Sequence, residues 1–257
     1  MVEDVRGKVG PRRENLTGRL ICGGVGTNVG AVEEPAAVDG NDDELRASDG
    51  RVPGRRGRAT RTRLLERTVE MLRTSSYRDL KVVDIAKGAG TSPATFYQYF
   101  PDVESAILVL AQEMAVEGSS LSALVRGQSF KGRAGYETSL AVVDGVLDFW
   151  ENNRPVLRVV DLATEEGDLR FRKIRTRLLN ELTIALRDVI VNQRDEAKLA
   201  VEPDPMATAG VLVSMLAHVA AHRWGFEFWG IKTDDSRRSM ARIVYTTVTG
   251  QKPPADA

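Results

Sequence analysis

The stretch KVVDIAKGAGTSPATFYQYF, residues 81–100, admits few folds, because it spells two short helices around a glycine-bearing turn. In the first, Val82, Val83, Ile85 and Ala86 recur at helical spacing as an apolar face and leave Asp84 and Lys87 for solvent. Gly88 and Gly90 flank Ala89 where that helix has to stop, and glycine alone takes up a positive φ without steric cost. Ser92 then offers an oxygen to the free backbone donors of a new helix, and Pro93 suits its first position, where no N–H is needed. The second helix is expected over 92–99, with Phe96 and Phe100 as its core face and Thr95, Tyr97, Gln98 and Tyr99 carrying hydrogen-bonding groups. Two helices so joined form a helix-turn-helix, which reads DNA by laying the second helix in the major groove.

Charge points the same way. The chain is neutral overall, with 36 basic and 36 acidic residues, so its net charge selects no partner. Residues 51–103 hold eleven basic residues against five acidic ones, a local excess of 6 offset by the rest of the chain. The field is therefore concentrated around the two short helices. Its densest part, RVPGRRGRATRTR, is expected to be a mobile arm over 51–58 whose Arg55, Arg56 and Arg58 touch phosphates or the minor groove; the other reading is a solvated basic linker.

The segment DIAKGAGTSPATFYQYF followed by PDVESAILVL closely resembles the N-terminal DNA-binding domain of TetR-family transcriptional regulators, over roughly residues 59–114. An opening helix contributes to the likeness, with Leu64, Leu65, Thr68, Met71 and Leu72 on one side, as do the YRDL and AGTS turns. The resemblance implies a homodimer that sets two copies of helix 92–99 on a palindromic operator in double-stranded DNA. Carried over by position, Thr95, Gln98 and Tyr99 face base edges or nearby sugar-phosphate, Pro93 and Ala94 make apolar contacts, and Lys81, Ser92 and Tyr97 hold phosphates. For Tyr97 and Tyr99 packing into the domain core is the competing role. Two positions depart from the family pattern. Lys81 stands where Ser or Thr is common, and Val103 where a phosphate-binding lysine usually opens the next helix.

The first fifty residues carry ten acids against six bases and no sustained period of 2 or 3.6, so a disordered acidic, Gly-rich tail is expected over 1–50. Within it Gly24, Gly26 and Gly30 imitate a dinucleotide-binding loop, but the spacing is wrong and no βαβ pattern follows. Cys22 is the only cysteine, which excludes an intramolecular disulfide and is compatible with a cytoplasmic location. The apolar run around Ile21 is too short and glycine-rich for a secretory signal or membrane span, and no membrane association is expected.

Downstream the pattern is helical almost throughout, so the fold class is all-α: an N-terminal helix-turn-helix domain over 59–103 and a helical domain over 104–250, with a disordered end at 251–257. Asp102 is expected to cap a helix through Ile107 and Met114. Further helices are expected at about 136–152, 155–164, 168–193, 205–228 and 235–249, with Asn153-Arg154-Pro155 read as a turn. In the family the C-terminal part binds a small effector and pairs its last two long helices across the dimer. ATAGVLVSMLAHVAAHRW fits that role, being small or apolar around nearly its whole circumference.

Phe149, Trp150, Met215 and Trp224 are the candidate lining of an effector cavity, with packing in the core as the alternative for each. The ligand expected there is small and largely apolar. The stripe Arg172, Lys173, Arg175 and Arg177 reads as a solvated face. His218 and His222, four apart, have the spacing of a shared metal site, yet no carboxylate follows until Glu227, so neither metal nor cofactor is expected and a structural or pH-sensitive pair is the reading. No nucleophile, base or metal constellation suggests an enzyme. The expected function is a transcriptional repressor released from its operator by the effector. A constitutive or architectural DNA binder and a ligand-dependent activator are the alternatives.

Overall fold

The computed structural model describes residues 54–197 and 203–255. The expected tail over 1–50, with its glycine run and Cys22, lies outside the described residues. Among the described residues there are eight α-helices, two short 3-10 turns and no strand.

Helix α1, Arg55–Leu72, buries Arg61, Leu64, Leu65, Thr68 and Leu72 on one face, while Met71 is half-buried. The Thr68 hydroxyl is satisfied inside the core by donating to the Leu64 carbonyl at 2.8 Å. The arm expected over 51–58 is thus helical from Arg55 onward. Arginine is a strong helix former, and the buried leucine face downstream anchors the helix so that it propagates back through Gly57. After a 3-10 turn, Tyr77–Asp79, come α2, Val82–Gly88, and α3, Pro93–Tyr99. These pack with α1 around Leu64, Leu72, Ile85, Phe96 and Phe100. Val83, expected on the apolar face of α2, is instead 59% exposed. A seven-residue helix spans barely two turns, and Val82, Ile85 and Ala86 already cover its inner side.

Helix α4, Val103–Ser119, starts at Asp102, whose carboxylate accepts from the Ser105 N–H at 2.7 Å. A second 3-10 turn, Ser120–Leu124, leads to α5, Gly132–Glu165, then α6, Leu169–Ala197, α7, Pro205–Phe228, and α8, Thr233–Thr249. Helix α6 runs through the middle of this bundle, against α4, α5, α7 and α8, and buries Phe171, Ile174, Leu178, Leu182, Leu186 and Ile190. Val103–Leu124 and Pro205–Phe228 have the length and apolarity of membrane spans; in the structure both α4 and α7 pack along α6, with 39% and 33% of their apolar windows buried. Arg237 of α8 grips Asp144 of α5 with both ends of its fork, Nη2 lying 2.6 Å from Oδ2.

The two helices expected at 136–152 and 155–164 are one. Pro155 lies inside α5, although a proline in a helix interior costs about 3 kcal/mol. The cost is outweighed because buried residues continue through it on one face: Val146, Phe149 and Trp150 before, Val156, Leu157, Val159, Val160 and Ala163 after. Asn153 also donates to the Phe149 carbonyl at 3.1 Å, inside the turn that proline disturbs. Residues 251–255, expected as part of a disordered end, leave Pro253 and Pro254 half-buried, and Pro254 borders a groove with Tyr136 and Arg237.

Two polar joins tie the first three helices and α4 to the bundle. At the end of α5, Glu166 receives Arg78 in an ion pair and the Tyr77 hydroxyl at 3.3 Å. At the start of α6, Asp168 caps the helix by accepting from the Arg170 N–H at 2.8 Å, and the Arg170 guanidinium spans Asp168 at 2.7 Å and Glu104 of α4 at 3.0 Å. The Arg170 side chain, aided by that backbone N–H, holds the Asp168 carboxyl at about 2, below its ordinary 3.8. A depressed carboxylate stabilises the folded state fully above its unfolded value and loses that contribution as pH falls toward the folded one. D168N should therefore melt earlier than wild type at pH 6, and the gap should close between about pH 4 and pH 2. A pH-independent gap in thermal midpoint would show that the carboxylate charge is not what matters.

Candidate nucleic-acid interface

The turn between α2 and α3 closes as the glycine pattern requires. Gly90 has φ +69°, its N–H bonds to the Lys87 carbonyl at 3.1 Å, and the Thr91 N–H reaches the Ala86 carbonyl at 2.9 Å. These are the paired bonds of a Schellman ending, and they turn the chain sharply into α3. Gly88 serves a different need: a Cβ there would run into the side chain of Arg67 on α1. Helix α3 begins on Ser92, whose Oγ accepts from the Thr95 N–H at 3.2 Å and lies 3.0 Å from Thr95 Oγ1, with Pro93 at the first position.

Phe96 and Phe100 lock this helix in place. Both are buried, with ring centroids 5.5 Å apart, and the Arg61 guanidinium lies 5.5 Å from the Phe100 centroid while bonding Glu113 of α4 at 3.4 Å. The opposite side of α3 is turned outward. Tyr97 is 52% exposed, Ala94 and Gln98 are exposed, and Pro93 and Thr95 are half-buried. Tyr99 is half-buried and packs against the core, while Tyr97 meets Phe96 only edge-on, at 5.9 Å. Ser92 and Lys81 are exposed at the starts of α3 and α2, and Lys81 makes no capping bond with its side chain.

Electrostatics around this face differ from the residue count. Arg61, Arg67 and Arg78 are engaged with Glu113, Glu70 and Glu166, and two of those acids lie outside residues 51–103. The positive charge left on the surface includes Lys81, Lys87 and the exposed Arg55, Arg56 and Arg58 at the start of α1. No acidic residue occupies the first turn of α1, so these arginines add to the positive end of the helix dipole rather than cancelling it.

The four candidate effector residues do not line one cavity. Phe149 packs inside the core, over Gly118 and beside Trp150, and Met215 is half-buried against that core. Trp150 and Trp224 do share a groove of about 300 Å³ between α5 and α7, together with Arg154, Arg158, Asp161 and Arg223. Its wall is charged as well as aromatic, which the aromatic pattern alone did not reveal. The signal available was Arg154 and Arg158, four apart. Of the stripe expected as solvated, Arg172, Lys173 and Arg177 are exposed, but Arg175 is half-buried, 2.7 Å from Asp161 and over the Trp150 ring. His218 and His222 are exposed and stacked at 4.3 Å, with His222 Nδ1 3.0 Å from the His218 carbonyl. Among the described residues no group of three or more His, Cys, Asp and Glu side chains is placed to hold a metal.

Comparison with known proteins accounts for both halves of this arrangement. Residues 64–105 match the family described as bacterial regulatory proteins, tetR family, and residues 121–255 match the tetracyclin repressor-like C-terminal domain. Among solved structures, the fatty acid degradation regulator FadR of Bacillus halodurans superposes with a TM-score of 0.55 at 16% identity, covering 78% of this chain and 97% of that one. A tetR-family transcriptional regulator from Streptomyces coelicolor gives 0.56 at 13% identity, over 75% and 82%. FadR of Bacillus subtilis, solved in complex with stearoyl-CoA, gives 0.53 at 15% identity, over 74% and 98%. At such identities these structures speak for the fold alone. No curated protein matches the chain in sequence. The C-terminal match by itself spans more than half of the 257 residues, and with the helix-turn-helix match before it the chain belongs to the TetR family of DNA-binding transcriptional regulators.

Proposed function

We propose that the protein is a cytoplasmic repressor that binds a palindromic operator as a homodimer and leaves it when a small effector occupies the helical domain. The observation that carries the reading is α3, held from behind by Phe96 and Phe100 while Ala94, Tyr97 and Gln98 face outward. Residues 59–103 act as the reading head and 104–250 as the effector and dimerisation part. In the groove Thr95 and Gln98 meet base edges, with Pro93 and Ala94 in apolar contact. Ser92, Tyr97 and Lys81 hold phosphates, as do Arg55, Arg56 and Arg58 at the positive end of α1. Tyr99 contributes only its exposed edge, since the rest of the ring packs inward.

Two copies pair through α7 and α8, whose exposed Val211, Ser214, His218 and Ile243 form the outer side of the bundle. A symmetric dimer presents α3 twice, and an effector that prefers a dimer with the wrong spacing lowers DNA affinity by its own differential binding energy. Selection of duplex fragments by the full-length protein, followed by titration at several salt concentrations, tests the reading. Q98A is expected to cost about 1–3 kcal/mol and to relax preference at one base pair of each half-site. K81A is expected to weaken all sequences alike and to lower the salt slope by about one per half-site. A wild-type protein with no preference among duplexes would sink the proposal.

A further inference from the structure

The groove between α5 and α7 holds more donors than it can use. Glu151 lies 2.9 Å from Arg223 and Asp161 2.7 Å from Arg175, so the acids of the wall are already paired. Arg154 and Arg158 are exposed, sit one helical turn apart on the same side of α5, and have no carboxylate partner among the described residues. Two like charges at that spacing repel each other unless an anion lies between them. Trp150, only 3% exposed, belongs to the same wall, and its indole N–H is buried without a hydrogen-bond partner; a guanidinium nitrogen of Arg175, stacked on that ring, is also unpartnered. A buried donor left unpaired is costly, and of these two the Trp150 indole belongs to a residue of the groove wall itself.

The other wall supplies an apolar surface and a break in its helix. Trp224 stands 61% exposed at the rim beside Ala220 and Ala221. Helix α7 loses helical geometry at His222, φ −119° and ψ 19°, where it borders the groove. Arg158 also lines a small cleft with Leu72, Ser75 and Tyr77, at the foot of the first three helices. Tyr77 in turn donates to Glu166 at the end of α5. A ligand drawn onto Arg154 and Arg158 would thus bear on the helix segment that holds the reading head.

We propose that this groove binds a small oxyanion, carboxylate or phosphate, carried on an aromatic or apolar body, with Arg154 and Arg158 on the anion and Trp224 against the body. The inference rests on the effector reading above and gives the effector its chemical class: an amphipathic anion in place of a largely apolar molecule. The volume, about 300 Å³, is at the small end for ligand pockets and suits a single ring or a short chain.

Calorimetric titration of the full-length protein with benzoate, phenyl phosphate and benzyl alcohol tests it. At least one of the two anions should saturate a site while the uncharged alcohol does not, and the two anions compared show which headgroup the clamp takes. R154Q/R158Q should weaken that binding by at least about tenfold, since charge-assisted hydrogen bonds are lost. R172Q/R177Q, which removes two exposed arginines of α6, should leave it unchanged. Neither Arg154 nor Arg158 is buried, so R154Q/R158Q should keep the circular dichroism spectrum of wild type and a thermal midpoint equal to it or slightly higher, as their mutual repulsion is removed. Absence of saturable binding by either anion, equal binding of the alcohol, or undiminished binding by R154Q/R158Q would overturn the proposal. These titrations contain no DNA, so failure of the operator reading appears separately, in the duplex selection.

Discussion

Truncating Phe96 to alanine should abolish duplex binding at physiological salt and lower the stability of the first three helices by about 3–5 kcal/mol. The side chain is 0% exposed, packs its ring against Phe100, and is the one buried residue of α3. A seven-residue helix has no independent stability, so its position depends on what it buries. Removing the anchor leaves a cavity beside the Phe100 ring, and the loss is a large share of the margin of about 5–15 kcal/mol typical of a domain. The helical bundle should persist, so circular dichroism should show a small early loss of helix ahead of the main transition. F96L, which keeps most of the volume, should recover much of the binding. Y97F offers the contrast: that ring is half outside, so stability should hold while affinity falls by a single phosphate contact. An F96A protein that binds duplex as wild type would mean that α3 is not held by this core.

The second large effect is expected at Gly135. In the first turn of α5 a Cβ at this position would overlap the backbone carbonyl of Phe130, and would lie 2.7 Å from its Cα. Backbone cannot rotate aside as a side chain can, so G135V has to move either α5 or the segment before it. That segment is fixed: Phe130 is buried, the Gly135 N–H bonds to the Lys131 carbonyl at 3.1 Å, and Ser139 donates to the Gly135 carbonyl at 2.9 Å. Overpacking of this kind costs about 1–3 kcal/mol and more where the neighbour is rigid. For a chain of this size each kcal/mol lowers the midpoint by about 2–4 °C, so G135V should melt at least about 5 °C early. Gly118 is the internal control. A Cβ there meets side chains only, the Leu178 methyl and, at 3.1 Å, the Phe149 ring, and these can shift where backbone cannot, so G118V should be milder than G135V. Equal losses from the two would show that backbone rigidity at Phe130 is not the cause.

The turn and its two helices were legible because their determinants are local. Ser92, Pro93 and Gly90 each act within a few residues of themselves, and Phe96 and Phe100 share a face by helical spacing alone. The start of α4 at Asp102 was legible for the same reason. Pro155 misled because a local rule was applied where burial on both sides of the proline decides the outcome. The count of basic residues overstated the field at the candidate interface, since Arg61 and Arg78 meet acids 52 and 88 residues away. The aromatic residues grouped as one cavity separated into a core filler, Phe149, and a groove wall, Trp150 and Trp224.

What the order of amino acids determined unaided was the helix-turn-helix, its caps and its inward face, because these depend on backbone preferences and on a period of 3.6 residues. What only the tertiary structure decided was the continuity of α5, the partners of the arginines, and the groove where Arg154 and Arg158 stand opposite Trp224. Those features arise from packing α5 against helices far away in the chain, and side chains brought together that way leave no common period to read.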